Sequence, residues 1–426
     1  MNSTIILKGN ILYTPNPSAL VSIQQGYVIA VDGAVVHCGE SIPTVYTEYD
    51  VVDYGDNLII PGFVDTHAHA PQYCNRGLGM DKELLPWLET YTFPEEAKFI
   101  DPDYARLVYG AFVHDLWRNG TTRSILFGTI HKDSTLVLMK LLQKAGLSAY
   151  VGKVNMDRNS PEFLIEETNQ SLADTKVWLD ASVQFGPLVK PIITPRFVPS
   201  CTSELMTGLA KLAKEYDVPV QSHLSENHGE IDWVASLHPE SSNYTDVYYE
   251  HHLMGTVPTV MAHCIHLSDV EMDRMAETQT MVSHCPYSNV NLSSGIAPIR
   301  KLIERNIPIG LGSDISGGHI VSMAKILTEA IGLSKMKWAE VDPNYAPLTL
   351  SEAFYMATKG GGQFFGHVGS FEKGYELDAL IIDDTSLFDL NERSLEERLE
   401  RWLYVGDDRH IIERYVAGRV VPSPKG

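Results

Sequence analysis

A histidine pair separated by one residue, His67 and His69, stands at the end of a short apolar stretch that follows Pro61 and Gly62. In an extended strand, residues i and i+2 face the same side, so both imidazoles can point at one cation. The strand is expected to start near Pro61, because proline cannot donate to a sheet ladder and is confined to strand starts and edges. An H-x-H pair is a weak signal by itself, and a metal site therefore needs further ligands in the chain.

Three further segments place a metal-binding side chain where an apolar strand gives way to a polar loop. Their metal-binding residues are His223, His263 and Asp314. With His67 and His69 they make four imidazoles and one carboxylate, a set that suits zinc or iron and leaves a coordination position for water. The sequence thus predicts one metal site built from side chains at strand ends.

The middle of the chain, about residues 61–365, alternates short apolar strands with helical patterns, which is typical of βα units on a parallel sheet. The predicted strands end near His69, Thr122, Val154, Arg196, His223, His263, His284 and Asp314. Eight such units predict an α/β fold of the (β/α)8 TIM-barrel type, whose active site lies at the C-terminal ends of the strands. Every candidate ligand stands at such an end.

Local signals indicate where several helices begin. Ser160, followed by Pro161, predicts a capped helix start. The segments Ser268–Glu271 and Thr349–Glu352 have the spacing of capping boxes. A stripe of apolar residues at helical spacing, from Leu205 to Tyr216, predicts a core helix before the strand that carries His223.

Both ends of the chain are rich in short β-type runs. The dipeptide Asp32-Gly33 between two such runs is a strong signal for a two-residue hairpin. The last sixty residues contain similar runs, for example 379–382 and 413–416. We therefore expect residues 1–60 and 366–426 to form one small composite β-sandwich domain beside a metal-dependent barrel domain at 61–365.

Composition narrows the class of protein. The chain has 426 residues, 44% hydrophobic and 20% charged, with a formal net charge of −21. This charge disfavours nucleic acid and anionic membranes as partners, and suits a soluble protein that handles small, uncharged or cationic ligands. The five cysteines include no C-x-x-C pair, which fits a reducing compartment. Because Met1–Lys8 lacks a signal-peptide pattern and no long apolar run occurs, we expect a cytoplasmic protein.

Several motifs together are similar to a known family. They are PGFVDTHAHAPQ (61–72), NRGLG (75–79), ITPRF (193–197), HLSEN (223–227), AHCIHLS (262–268), HCP (284–286) and GSD (312–314). With these motifs the chain resembles the amidohydrolase superfamily, and within it the guanine deaminases, as far as residues 404–408. The metal ligands specify only the superfamily, whereas the His-Ala-Pro-Gln loop and the Pro-Arg-Phe segment select the guanine-specific family.

The resemblance implies a mononuclear site with His67, His69, His223 and Asp314 as ligands. His263 would bind the metal directly or contact only its water. Zinc, one ion per chain, is the expected cofactor, and Fe²⁺ is an alternative that the same ligands accept. A residue-level observation agrees: Arg196 ends the fourth predicted strand, where dinuclear relatives need a carboxylated lysine, and arginine cannot be deprotonated.

The resemblance also assigns roles in catalysis. Asp314 would take a proton from the attacking water, and His263 would orient that water. Glu226, three residues beyond His223, would protonate a ring nitrogen of the substrate and then the departing amine. His266 is a candidate for supporting these groups from behind, or has only a structural role.

The expected substrate site lies in the same loops. The Gln72 amide can donate and accept, Arg196 has only donors for the guanine carbonyl and imidazole nitrogen, and Phe197 can pack on the ring. A structural ion pair is the alternative for Arg196. The expected substrate-binding residues are His69, Ala70, Pro71, Gln72, Arg196, Phe197, His223 and Asp314.

Taken together, the expected function is zinc-dependent hydrolytic deamination of guanine to xanthine and ammonia in purine catabolism, by an enzyme acting on C–N bonds of cyclic amidines. A related mononuclear deaminase acting on cytosine, adenine or an aminated triazine is the first alternative. A non-catalytic scaffold with the same fold is the second. The resemblance, and no stretch of the sequence by itself, implies a homodimer.

Overall fold

The protein has an α/β fold, described here by a computed structural model that covers residues 3–424. The strands in chain order are β1 (Thr4–Asn16), β2 (Ala19–Val31), β3 (Ala34–Gly39), β4 (Val51–Pro61), β5 (Phe63–His69), β6 (Thr121–Phe127), β7 (Ser148–Gly152), β8 (Val154–Asn155), β9 (Val189–Pro191), β10 (Thr194–Pro195), β11 (Val220–Leu224), β12 (Thr259–His263), β13 (Met281–His284), β14 (Ile309–Leu311), β15 (Ala379–Ile382), β16 (Ile411–Val416) and β17 (Arg419–Val420).

Helices connect most of these strands. They are α1 (Leu84–Trp87), α2 (Phe93–Glu96), α3 (Pro102–Arg118), α4 (Lys132–Ala145), α5 (Thr168–Ser182), α6 (Ser203–Tyr216), α7 (His228–Leu237), α8 (Tyr244–Glu250), α9 (Asp269–Thr278), α10 (Pro286–Asn291), α11 (Ile299–Glu304), α12 (Met323–Glu340), α13 (Leu350–Tyr355) and α14 (Leu395–Val405). Residues 3–424 also contain short 3₁₀ turns, such as Ala70–Asn75 and Val198–Ser200, and the π turns Leu88–Thr92 and Met356–Gly360. Within residues 3–424, no helix combines the length and the apolar character that a membrane span requires.

Strands from both ends of the chain pair in one seven-stranded sheet, in the order β17-β16-β15-β4-β1-β2-β3. The predicted hairpin at Asp32-Gly33 is confirmed, since Val31 pairs with Ala34 and both turn residues have positive φ. The predicted sandwich needs a second layer and stays a prediction. Residues 1, 2, 425 and 426 of the expected end domain, and so the start of the Met1–Lys8 segment, lie outside the described residues.

The middle of the chain forms purely parallel sheets, as the βα pattern predicts. One sheet has the order β5-β6-β7-β9, a second has the order β11-β12-β13-β14, and a two-stranded sheet joins β8 to β10. Parallel strands need crossover connections, and helices α3, α4, α5 and α9 supply them. The carboxyl ends of β5, β11 and β12 thereby carry His69, His223 and His263.

One predicted strand end is wrong. The strand expected to end near Thr122 begins at Thr121 and continues to Phe127. Gly120, with a φ of +76°, reverses the chain directly after α3, so the strand can start at once. The polar residues 121–124 at the start of β6 conceal the strand in the sequence, because their side chains are buried by contacts with distant residues. Other ends agree more closely, with β10 ending one residue before Arg196 and β14 ending three before Asp314.

The helix-start signals have mixed outcomes. The capping boxes at Ser268 and Thr349 are confirmed. The helix predicted after Ser160 is wrong, because α5 begins only at Thr168, where the Glu167 side chain accepts a hydrogen bond from Gln170 N at 2.9 Å.

A distant charge explains the delayed start of α5. Lys153 is fully buried, and its Nζ lies 2.7 Å from Glu166 Oε1. Glu166 N also donates to Met156 O at 2.8 Å, which keeps the chain before α5 against the strand end. A buried ammonium without a partner is costly, so this pairing outweighs the local cap.

A buried ion pair joins the two parts of the fold. Arg123 of β6 donates to Asp378 through Nε at 2.7 Å and through NH2 at 2.9 Å, and Asp378 is fully buried. Asp378 directly precedes β15 of the seven-stranded sheet. This bidentate contact therefore ties the parallel sheets to the sheet made from the chain ends.

We expect Arg123→Met to lower the free energy of unfolding by about 3–5 kcal/mol, because it leaves the Asp378 carboxylate buried without its cation. A thermal unfolding scan measures the effect as a lower midpoint. Lys176→Met is the matched control, since Lys176 and its partner Glu215 are 51% and 56% exposed and such pairs contribute little. Equal midpoints for the two variants would contradict the assignment.

Candidate active site

The five predicted metal ligands converge at the carboxyl ends of the parallel strands. The ligand atoms of His67, His69 and His223 lie within 4.8 Å of one another, and so do those of His67, His263 and Asp314. Asp314 Oδ1 lies 3.2 Å from His67 Nε2 and 3.4 Å from His69 Nε2. All five side chains are buried. The five residues predicted at strand ends therefore lie close together in the folded chain.

Hydrogen bonds behind two imidazoles determine which nitrogen faces the centre. His223 Nδ1 lies 2.6 Å from Arg196 O, and a carbonyl only accepts, so Nδ1 carries the proton. His263 Nδ1 is held in the same way by Asn289 Oδ1 at 3.0 Å. The Nε2 lone pairs of both rings are then free to bind a cation, the arrangement that fixes histidine ligands in metal sites.

Backbone contacts hold the ligand-bearing segments together. Asp65 Oδ1 accepts hydrogen bonds from His67 N at 3.2 Å and from Ser313 N at 2.9 Å. Asp314 N donates to His67 O at 2.8 Å. The last of the five ligands is thereby placed beside the first, although 247 residues separate them in numbering.

Two ligands have an unusual backbone conformation. His263 has a φ of +69° and Asp314 a φ of +45°, in the left-handed region that side chains other than glycine rarely adopt. Such conformations cost about 1–3 kcal/mol each and persist where the surroundings enforce them, most often at functional sites. The strain here redirects both side chains at the point where their strands end.

Electrostatics favour a cation at the centre. Burial lowers the pKa of His69 and of His223 well below the usual range, so both rings are neutral donors of a lone pair. Burial alone would raise the pKa of Asp314, but contact with His67 and the nearby His263 ring keep that pKa below its usual range. His67 Nε2 is buried without a hydrogen-bond partner among the described residues. The neutral imidazoles of His69 and His223 beside the Asp314 carboxylate fit a divalent cation.

Glu226 lies at the edge of this cluster. Its Oε2 is 3.3 Å from His263 Nε2, and its Oε1 accepts a hydrogen bond from the Ser294 hydroxyl at 3.1 Å. Burial raises the pKa of Glu226 to about 7, although the nearby His263 opposes the shift. A carboxyl group with a pKa near neutrality can both give and take a proton.

A cavity opens onto the cluster. It is lined by His69, Gln72, Leu84, Trp87, Leu88, Arg196, Phe197, His223, Glu226, Glu230, His263, Leu292, Asp314 and Gly317. Six of the eight predicted substrate-binding residues are in this set. Ala70 and Pro71 are buried in the 3₁₀ turn after β5 and are not among the lining residues.

Arg196 forms an ion pair, as one of its two predicted alternatives states, and it also lines the cavity. Arg196 lines the cavity, and its NH1 donates to Glu96 Oε2 at 2.5 Å. Glu96 Oε1 in turn accepts a hydrogen bond from Gln72 Nε2 at 2.8 Å. The two alternatives for Arg196 are therefore compatible.

Some residues around the site are not predicted from the sequence. Glu230 lines the cavity and accepts hydrogen bonds from Glu226 N at 2.9 Å and Tyr244 OH at 2.7 Å. Its signal is the capping box that begins at Asn227, which the sequence does carry. No local pattern marks Glu96, or the apolar residues Trp87 and Leu88 that line the cavity.

The nearest contact of the His266 ring is with a loop residue and not with a candidate metal ligand. Its Nε2 donates to Ser294 O at 2.8 Å, and the Ser294 hydroxyl contacts Glu226. The His266 ring is therefore linked to Glu226 through Ser294.

Comparisons with known proteins agree with this geometry. The sequence profile of the amidohydrolase family matches residues 58–421. The chain is 46% identical over 379 residues to a guanine deaminase of Dictyostelium discoideum, which covers 87% of this chain and 84% of that protein. It is 36% identical over 417 residues to a guanine deaminase of Escherichia coli strain K12. That alignment covers 95% of this chain and 92% of the bacterial protein.

A solved structure gives the same result. The crystal structure of guanine deaminase from C. acetobutylicum with bound guanine in the active site superposes with a TM-score of 0.97 at 50% identity. The match covers 99% of this chain and 100% of that chain. The similarity therefore extends over the seven-stranded sheet as well as the parallel sheets.

Proposed function

The chain belongs to the amidohydrolase family, and from that premise we propose that it hydrolyses guanine to xanthine and ammonia. The observation that carries the proposal is one shared cavity: Gln72 and Arg196 line the same space as the buried histidine and aspartate cluster. Guanine presents a carbonyl oxygen, ring nitrogens and an exocyclic amine, which need both donors and acceptors. The similarity to guanine deaminases described above supports the same substrate.

The metal proposal assigns one ion to His67, His69, His223 and Asp314, with His263 at the ion or its water. When bound, a divalent cation supplies Lewis acidity that lowers the pKa of water from 15.7 to about 7. Zinc is the proposed metal, and iron is the alternative with the same ligand chemistry. A single ion is supported by Lys153, whose Nζ is taken by Glu166 at 2.7 Å and is not free to bridge two metals.

The remaining chemistry is assigned to side chains of the cavity. Asp314 accepts a proton from the attacking water, and His263 orients that water through Nε2. Glu226 delivers a proton to the ring nitrogen beside C2, then takes up the proton that Asp314 accepted and passes it to the exocyclic amine. The proton of the new C2 hydroxyl returns to Glu226, so both carboxyl groups end in the protonation state in which they began. The C2–N bond then breaks, and the leaving group departs as ammonia rather than as an amide ion.

Substrate recognition is assigned to the opposite wall. Arg196 donates hydrogen bonds to the guanine carbonyl and the imidazole nitrogen. Gln72 forms hydrogen bonds with the neighbouring edge of the base through one donor and one acceptor. Phe197 packs on the ring, and Trp87 and Leu88 keep water out.

The finer architecture is also part of the proposal. We infer that β5 to β14 close into a (β/α)8 barrel at 61–365, and that 1–60 with 366–426 form a β-sandwich. Two contacts between the separate sheets support closure: the bridge between Ile193 and Val220, and the hydrogen bond from Thr66 Oγ1 to Leu311 O at 3.0 Å. We further propose a cytoplasmic homodimer, whose mass in solution light scattering would measure.

An activity screen with metal analysis of the same sample tests the function. Purified protein is offered guanine, adenine, cytosine and an aminated triazine, and ammonia release is measured together with the ultraviolet spectrum. We expect guanine to be the preferred base and about one metal ion per chain. An unchanged guanine spectrum together with turnover of another base would contradict the proposal.

A further inference from the structure

We propose that Glu96 is a positioning residue for the substrate, which holds Gln72 and Arg196 at once and so determines which purine edge the cavity accepts. This inference rests on the proposed function and deepens it. Glu96 is the last residue of α2, and its side chain is 4% exposed. It belongs to neither of the two groups of candidate metal ligands found among the described residues.

Each oxygen of the Glu96 carboxylate is engaged by a different recognition residue. Oε1 accepts from Gln72 Nε2 at 2.8 Å, and Oε2 accepts from Arg196 NH1 at 2.5 Å. The partners lie 24 and 100 residues away in the chain. One carboxylate therefore bridges the loop after β5 and the residue after β10.

The contacts select one of the two orientations of the Gln72 amide. A carboxylate can only accept a hydrogen bond, so the amide nitrogen must face Glu96. On its other side, Gln72 Oε1 accepts from Ser316 N at 3.2 Å, and a backbone N–H can only donate. A flipped amide would lose both bonds. Gln72 therefore keeps one N–H and one lone pair for the ligand, in a fixed order.

Arg196 is oriented by the same group. The guanidinium is planar, so a contact at NH1 restricts the whole fork of donors. Its carbon also lies 5.2 Å from the centre of the Phe93 ring, which belongs to the same helix as Glu96. One N–H of five is used by Glu96, and others stay available for acceptors of a purine.

The test uses Glu96→Gln and two bases that cannot be deaminated. Hypoxanthine carries the carbonyl oxygen that Arg196 is proposed to contact, and unsubstituted purine lacks it. We expect KM for guanine to rise about 10- to 100-fold, with kcat changed less than about threefold. The variant loses a charge-assisted contact that helps to hold the substrate equally in the ground state and in the transition state. The ratio of hypoxanthine to purine inhibition constants is expected to rise at least about tenfold.

Two further variants separate positioning from a merely structural role. Glu95→Gln is the matched control, because Glu95 is buried next in sequence but contacts Lys98 and Tyr104. It should leave the inhibitor ratio unchanged. Glu96→Asp keeps the charge beside Arg196 but is too short to reach both partners, and should raise the ratio about 3- to 10-fold even if Glu96→Gln fails to fold.

The outcomes distinguish this inference from the proposed function. If wild-type protein turns over guanine but Glu96→Gln or a folded Glu96→Asp leaves the inhibitor ratio unchanged, the positioning role is wrong. A fall in kcat or in the thermal midpoint, with both inhibitors weakened equally, also overturns it. Failure of the wild type to deaminate guanine instead overturns the proposed function.

Discussion

Glu226→Gln is expected to reduce kcat for guanine by about 10²- to 10⁴-fold, the usual contribution of a general acid–base group. Glutamine has the same shape and can still accept the hydrogen bond from Ser294, which lies 3.1 Å from the Glu226 carboxylate. It cannot carry the proton that the leaving amine needs. Bound metal should be unchanged, because Glu226 is not in either ligand group.

Steady-state kinetics and metal analysis on one preparation measure both parts of this prediction. Glu204→Gln, an exposed glutamate in the first turn of α6, is the control and should behave as wild type. Turnover of Glu226→Gln within a few-fold of wild type would remove its assigned role. Loss of metal together with turnover would instead assign Glu226 to the ligand set.

His67→Ala is expected to lose bound metal and activity together. His67 is the residue shared by the two ligand groups, so its removal disrupts both. The lowering of the pKa of water from 15.7 to about 7 corresponds to roughly 12 kcal/mol, against about 3–5.5 kcal/mol for general acid–base catalysis. We therefore expect a larger loss than for Glu226→Gln, to the background of the assay.

Elemental analysis and guanine turnover are measured on the same His67→Ala sample, with a thermal scan to establish that it is folded. His367→Ala is the control, since His367 is exposed and its ring packs on Tyr375, away from the cluster. A fully metallated and active His67→Ala would contradict the ligand assignment. Removing metal from wild type with a chelator and restoring it with Zn²⁺ or Fe²⁺ would identify the metal.

Features that depend on neighbours in the chain are predictable from the sequence. Alternation along a strand places His67 and His69 on one side, and the structure has their Nε2 atoms 3.2 and 3.4 Å from the same Asp314 oxygen. The capping box at Ser268 also forms as predicted, because its bonds close within three residues.

The wrong expectations share a physical cause. The helix start at Ser160 is overridden by the pairing of buried Lys153 with Glu166. The polar start of β6 lies in a buried strand, where the charge of Arg123 is paired with Asp378. In both places a buried charge outweighs a local preference of a few tenths to one kcal/mol or so. A single sequence does not reveal which distant residue will be the partner.

The chemical class of the site can be predicted from the amino-acid sequence: histidines and an aspartate at strand ends, a glutamate three residues beyond one of them, and the loop that contains Gln72. How these groups face one another depends on the packing of the folded chain. Glu96 holds Gln72 and Arg196 across 24 and 100 residues of chain. Such contacts depend on how α2 packs over the strand ends, and packing between distant segments leaves no periodic or local mark in the sequence.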